Sequence, residues 1–280
     1  MNARANIAGQ IAIQVRKLGL KPSTGLAKHF AGDAFQSAFL AAMSTVFPDG
    51  ERFFIDSVRH YRDQLSDPAL LSEVSAFIGQ EAHHGREHEA FNDWLQEKGY
   101  PLAPALEQVR EGLDMARQNL SPKRQLAMTI ALEHFTAIMA HQFLSNEALS
   151  ENMAPEIRQL FLWHAVEETE HKAVAFDVYE AVGGDYWTRV ITMFQITLLF
   201  WLNMMRITHG YLRSEGNASL AQWLKGSWWL LGNPGPLRRL VPDYLAWFKP
   251  GFHPWEQDNR ELVKPLQAEM EKYAVKGTSE

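Results

Sequence analysis

Apolar residues recur every three or four positions along most of the chain and alternate almost nowhere, so the pattern is that of helices. Proline and glycine punctuate it. The spacing predicts a helix from Asp33 to Val46, stopped by "FPDG" at 47–50, and a second from Glu51 to about Leu65. "SDP" at 66–68 supplies a stop and a fresh N-cap for a long helix over 69–98, ended by Gly99 and Pro101. A partly helical connection over 104–118 follows. Ser121 as N-cap and Pro122 at N1 open a helix running to about Leu149. Pro155 opens another that runs to Val182 and is closed by Gly183-Gly184. The first thirty residues are less regular, and "IAIQV" at 11–15 reads as a short extended piece. Four long helices of roughly 15 to 30 residues with short links are the inventory of a bundle.

Beyond Gly184 the character changes. "VITMFQITLLFWLNMM" at 190–205 holds sixteen residues without a charge, between Arg189 and Arg206. That is short of the roughly 20 residues needed to span a bilayer. The expectation is a helix buried on all sides; a membrane-lying helix and the wall of an apolar tunnel are the alternatives. Trp223, Trp228, Trp229, Trp247 and Trp255 crowd into 33 residues, which suits an interface belt, an aromatic lining or one bulky core. Residues 256–280 read as a charged amphipathic tail. The expected architecture is therefore a single all-α domain over 1–280. It comprises a ferritin-like four-helix bundle at 33–183 and a hydrophobic, aromatic-rich helical extension at 184–280.

Chemistry enters through carboxylates and histidines at helical spacing. Glu81 and His84 lie three apart and share a helix face, and Glu168 and His171 repeat that spacing. Glu51 lies 30 residues before Glu81, and Glu133 lies 35 before Glu168. The chain thus reads Glu, Glu-x-x-His, Glu, Glu-x-x-His, the ligand set of ferritin-like di-iron and di-manganese carboxylate bundles. Four glutamates neutralise two divalent ions, whereas the same carboxylates buried without metal would be costly to ionise. Glu51 is the weakest member, because an acidic residue is expected near a helix N-terminus in any case; Asp56 is its substitute. His164 shares the face of Glu168 and His171, and His88 relates similarly to Glu81 and His84, so either could be a ligand or an outer hydrogen-bond partner. His83 and His134 point about 100° from their neighbouring ligands and fit an outer partner or the surface. Glu167 and Glu170 read as spare carboxylates, solvated or behind the ligands. His141 and Tyr179 receive no role.

Five segments, "FPDGERFF", "FIGQEAHHGREHEAFN", "ALEHFTA", "WHAVEETEHKAVAFDVY" and "KPGFHPW", together resemble a bacterial family known as predicted metal-dependent hydrolases, over about residues 10 to 260. Its metal motif is in turn similar to that of the ferritin-like di-iron superfamily. The resemblance implies Glu51, Glu81, His84, Glu133, Glu168 and His171 as ligands. His164 matches the extra histidine of the arylamine N-oxygenase branch, His-x-x-x-Glu-x-x-His. "LVPDYLAWFKPGFHPW" at 240–255 has no counterpart in ferritins and argues against simple iron storage.

Composition narrows the partners. The chain has 280 residues, a net charge of −6 and no basic block, which argues against nucleic acid. The absence of cysteine excludes disulfides, zinc–thiolate sites and thiol nucleophiles. The polar, interrupted N-terminus is unlike a signal peptide, so a cytoplasmic protein is expected, membrane-associated through 190–255. Three functions compete. The first is an O₂-activating oxygenase or oxidase with two iron ions, acting on a hydrophobic small molecule. The second is a hydrolase whose dinuclear site activates water, with manganese or zinc as alternatives to iron. The third is a ferroxidase or iron-handling protein. Peripheral membrane contact and a homodimer are the associations that the apolar C-terminal third suggests.

Overall fold

Asp33 caps the first helix, its carboxylate accepting the Gln36 N–H at 2.8 Å. In a computed structural model of the chain, which describes residues 11–275, that helix (α1) spans Ala34–Arg59 without a break. The stop expected at "FPDG" does not occur. Pro48 lies inside α1 and, lacking an N–H, leaves the Ser44 carbonyl four residues earlier without its helical donor. Asn92 on the neighbouring helix donates to that carbonyl at 3.1 Å, which offsets the loss. Glu51 consequently sits in mid-helix rather than at an N-terminus.

The second helix, α2 (Pro68–Glu97), starts at the Asp67 cap and ends as read. Gly99, at φ +84°, allows the paired bonds Tyr100 N–H to Leu95 and Gly99 N–H to Gln96 that close a Schellman turn. The connection is fully helical, α3 (Leu102–Asn119). Ser121 and Pro122 open α4 as expected, but it ends at Ser145, with a separate 3₁₀ turn over Glu147–Leu149. The helix expected over 155–182 is two pieces, α5 (Pro155–His171) and α6 (Val174–Ala181). The chain turns at Lys172, whose ammonium is held by the Gln257 carbonyl at 2.5 Å and Asn259 Oδ1 at 2.8 Å, over the Trp255 ring. His253 adds a contact to Asp177 at 3.0 Å. Residues 253–259, which begin at the end of "KPGFHPW", thus clamp the chain just after a ligand candidate.

Helices α1, α2, α4 and α5 form the bundle, with α3 against α1. Then α7 (Tyr186–Ser214) packs on α1 and α4, α8 (Leu220–Leu231) on α1, and α9 (Pro236–Ala246) on α4. The last helix, α10 (Arg260–Met270), leans on α5. Core clusters run through bundle and extension together: Ile207 and Leu230 share one with Phe35 and Trp163. Among the described residues there is no sheet; the "IAIQV" piece is extended and continues into one antiparallel bridge, Arg16 to Ala274. The first ten residues and the last five of the charged tail lie outside the described residues.

The expectation that 190–205 is buried on all sides fails. Val190, Met193, Ile196 and Met204 are buried, but Ile191, Phe194, Leu198, Leu199 and Leu202 are at least 50% exposed. A long apolar run sets the length of a helix, not the number of its faces that find partners. The tryptophans also divide: Trp247 and Trp255 are buried, whereas Trp228 is exposed.

The α8–α1 contact depends on Gly226, where an added Cβ would lie 2.2 Å from the buried Phe35 ring. Gly226→Ala is expected to lower stability by about 1–3 kcal/mol through overpacking. A thermal melt matching the parent chain would show that α8 is not docked there.

Candidate metal centre

On α2 and α5 the Glu-x-x-His spacings each give one shared helix face. They aim Glu81, His84, His164, Glu168 and His171 into the bundle interior, where α1 adds Glu51 and α4 adds Glu133. None of these seven residues is more than 5% exposed. His171 Nε2 lies 3.1 Å from Glu81 Oε1 and 3.5 Å from both Glu133 Oε2 and Glu168 Oε1. His84 Nδ1 lies 3.6 Å from Glu81 and 3.5 Å from Glu168. Two groups of donor atoms, each within 4.8 Å of one another, could hold an ion: Glu51 with His84 and His164, and Glu81 with Glu168 and His171. Gly85 makes room for the first, since a Cβ there would come 3.2 Å from Glu51 Oε2.

Asp56 is not part of the cluster; it is exposed, facing Arg59 and Arg117. His134 is neither on the surface nor behind a ligand. It is buried against Trp247 and Phe252, its Nε2 meeting the Asp243 carbonyl. Tyr179 serves the α6 end, its hydroxyl donating to the Asp185 carbonyl. His83 and His141 are partly buried outside the cluster.

The outer nitrogens of the histidines are held from behind. His84 Nε2 donates to Glu167 at 3.1 Å, and His171 Nδ1 donates to Gln80 Oε1 at 2.8 Å. Gln80 donates onward to Glu170, and Arg16 joins both acids, reaching Glu167 at 3.2 Å and Glu170 at 2.7 Å. Glu167 and Glu170 are therefore buried and paired, not solvated. A third chain starts at Asn92. Its amide donates to the Ser44 carbonyl, so its oxygen must accept from the Ser44 hydroxyl at 2.9 Å. Ser44 then accepts from His88 Nδ1 at 2.9 Å, and His88 Nε2 accepts from His164 Nδ1 at 2.7 Å. His164 Nε2 is left as a lone pair 2.9 Å from Glu168 Oε1. Two acceptors at that distance require a proton or a cation between them. His88 acts behind His164, not as a member of either donor group.

Electrostatics divide the cluster. Burial, then the charges of Glu81 and Glu168, push the Glu51 and Glu133 carboxyls well above their usual range. Burial pushes Glu81 and Glu168 up too, but the histidines outweigh it and hold both below their usual range. For His84 and His171 burial favours the neutral ring, yet the surrounding carboxylates win and raise both well above the ordinary value. Burial and neighbouring imidazoles lower His88 and His164 from the ordinary imidazole value, with Glu168 opposing the shift at both. Metal-free, the centre thus favours the neutral form of Glu51 and Glu133 and the charged forms of Glu81, Glu168, His84 and His171. Both oxygens of Glu51, Glu81 and Glu133, together with His84 Nδ1 and His171 Nε2, nonetheless lack a well-formed hydrogen bond although buried. Buried oxygens and inward nitrogens of this kind fit divalent ions.

The protein-family model described as "Predicted metal-dependent hydrolase" matches residues 14–258. The chain belongs to that family. No curated protein and no solved structure matches it. Metal dependence in the family's name agrees with the two donor groups of this member. Arg16, Gln80, Ser44 and Asn92 were not singled out by sequence, since each acts on a partner far along the chain. Only the adjacency of Glu167 and Glu170 to the Glu-x-x-His pair hinted at an outer layer.

Loading divalent ions is expected to release protons, because Glu51, Glu133, His84 and His171 each hold theirs to a higher pH than an ordinary carboxyl or imidazole does. Affinity should therefore fall as pH is lowered. Calorimetry in buffers of different ionisation enthalpy measures the count, and release near zero would show that the metal-free charges are misassigned. Arg16→Met strands two buried carboxylates and is expected to cost about 3–5 kcal/mol in urea unfolding. An unchanged midpoint would remove Arg16 from the support of the site.

Proposed function

We propose that the protein is a dinuclear metal-dependent hydrolase acting on an apolar small molecule. The observation that carries the metal centre is the convergence of six buried donors in two sets of three, with Glu133 beside them and oxygens otherwise left unpaired. Glu51, His84 and His164 would hold one ion, and Glu81, Glu168 and His171 the other, with Glu133 beside His171. Bound divalent ions supply an acidified water and a Lewis acid for a scissile carbonyl or phosphoryl group. The chain's own part is positional. Glu167, Gln80 and His88 fix which nitrogen of each imidazole faces inward.

The substrate class follows from the space beside the site. A cavity of about 120 Å³ reaches His164 and Glu168 and is otherwise walled by side chains such as Phe39, Met43, Phe143 and Leu240. Such walls bind hydrocarbon and exclude water, so the scissile group would sit at the His164 end with its apolar part in the cavity.

A second reading is O₂-dependent oxidation by two iron ions. It is favoured by the carboxylate-rich donors and the dry cavity, both suited to redox iron. The cavity lining gives no support to a ferroxidase, whose hydrated cation would need polar walls.

The purified chain is expected to contain about two divalent ions, and Glu168→Gln to retain less than half of that by elemental mass spectrometry. Hydrolysis of medium-chain acyl or phosphoryl esters by the metal-loaded protein should proceed equally without oxygen. Turnover that appears only with O₂, with an oxidised product, would replace the hydrolase reading by the oxidase one. A chain that binds no transition metal would end both.

A further inference from the structure

On α7, Trp187, Ile191, Phe194, Leu198 and Leu202 follow one another at spacings of four, three, four and four. They form one stripe, each residue 50–68% exposed. The opposite side of the same helix is buried against α1 and α4. On α8, Leu220, Leu224, Trp228 and Leu231 make a second bare stripe, at 57–76% exposure. Val241 and Leu245 extend it onto α9. The three helices touch: Thr197 meets the Tyr244 hydroxyl at 2.9 Å, Trp223 donates to His209 at 3.3 Å, and α8 packs on α9. An apolar surface carried on three adjoining helices is more than a solitary soluble protein ordinarily leaves in water.

Charge indicates what covers it. Residues 186–250 contain seven Lys and Arg, at 189, 206, 213, 225, 238, 239 and 249, and two acids, Glu215 and Asp243, for a net +5. The whole chain is −6, so the remainder carries −11. Apart from buried Arg189 these cations are exposed; Lys225 pairs with Asp33 at 3.0 Å and Lys249 lies 3.7 Å from Glu256, which leaves Arg206, Arg213, Arg238 and Arg239 without an acidic partner among the ion pairs of the described residues. Arg206 follows Leu202 by one turn, and Arg238 and Arg239 stand just before Val241. An apolar face edged by cations, on an otherwise acidic protein, is the pattern of a helix surface that lies in an anionic bilayer. A second copy would bring the same positive edge against this one. Although α7 is long and apolar enough to span a membrane, its packed side holds it in the fold.

We infer that α7, α8 and α9 form a face that docks peripherally on an anionic lipid surface. The cavity beside His164 is walled by Trp229, Leu237 and Leu240 from α8 and α9, so the docked face adjoins the proposed substrate site. A lipid-dissolved acyl compound would reach it without crossing water; that second step rests on the function proposed above, whereas the docking does not.

Vesicle flotation of the full chain tests it, with phosphatidylcholine alone or mixed with phosphatidylglycerol. The chain should float with the anionic vesicles, less so at high salt. Leu198→Glu and Trp228→Glu should each lower the bound fraction about tenfold by placing a charge in the apolar face, with unchanged melting temperature. Arg238→Glu with Arg239→Glu should remove the preference for anionic lipid. Chelator-treated protein should float equally, so failure of the metal assignment would not disturb this result. Failure of the parent chain to float with either vesicle overturns the proposal, as does unaltered flotation of Leu198→Glu. So does a dimer by light scattering that Leu198→Glu dissociates while vesicles bind nothing, which would give the face to a second copy.

Discussion

Four glutamates placed side by side inside a helical bundle repel one another and lose their hydration. Something must compensate, or the bundle does not close. Without metal the compensation leans on protons: burial and neighbouring charge favour the neutral form of Glu51 and Glu133, and the surrounding carboxylates favour the charged form of His84 and His171. Divalent ions would put their own positive charge where those protons sit, so one protein shell can serve either state. The outer layer answers a different need. It fixes the direction of each ring, which charge balance alone leaves free.

That outer layer draws on distant parts of the chain. Arg16 comes from the extended N-terminal segment, where Lys17 N–H bonds the Tyr273 carbonyl at 2.8 Å and Val275 N–H bonds the Val15 carbonyl. The two ends of the described chain thus pair over the ligand helices, and the buried guanidinium is held between Glu167 and Glu170. Gln267 of α10 also donates to Glu170. The C-terminal helices are therefore part of how the centre is supported, and the division into a bundle and an appended extension understates their connection.

The ligand faces were legible in the sequence because a Glu-x-x-His pair is a local statement: three residues on a helix fix a shared side. Convergence of the candidate set did not depend on the frame around it, for Glu51 joins the cluster although α1 was expected to break just before it. The support was illegible for the converse reason. Nothing near Arg16 announces Glu170, and nothing in "EETEH" says that its first and fourth positions are covered rather than wet. The same limit applies to α7. Composition set its length, but whether an apolar side is covered depends on the size of the surface it meets, and α1 and α4 cover only one side of it.

Pro48 shows how a backbone defect can determine a proton's address. An ordinary residue at that position would give its amide to the Ser44 carbonyl, and Asn92 would have no reason to turn its nitrogen that way. With the amide free to flip, the order Asn92, Ser44, His88, His164 could run in either direction, and the inward nitrogen of His164 could carry a hydrogen instead of a lone pair. A bundle given the same seven side chains but no proline in its first helix could have the right residues in place with one of them facing the wrong way.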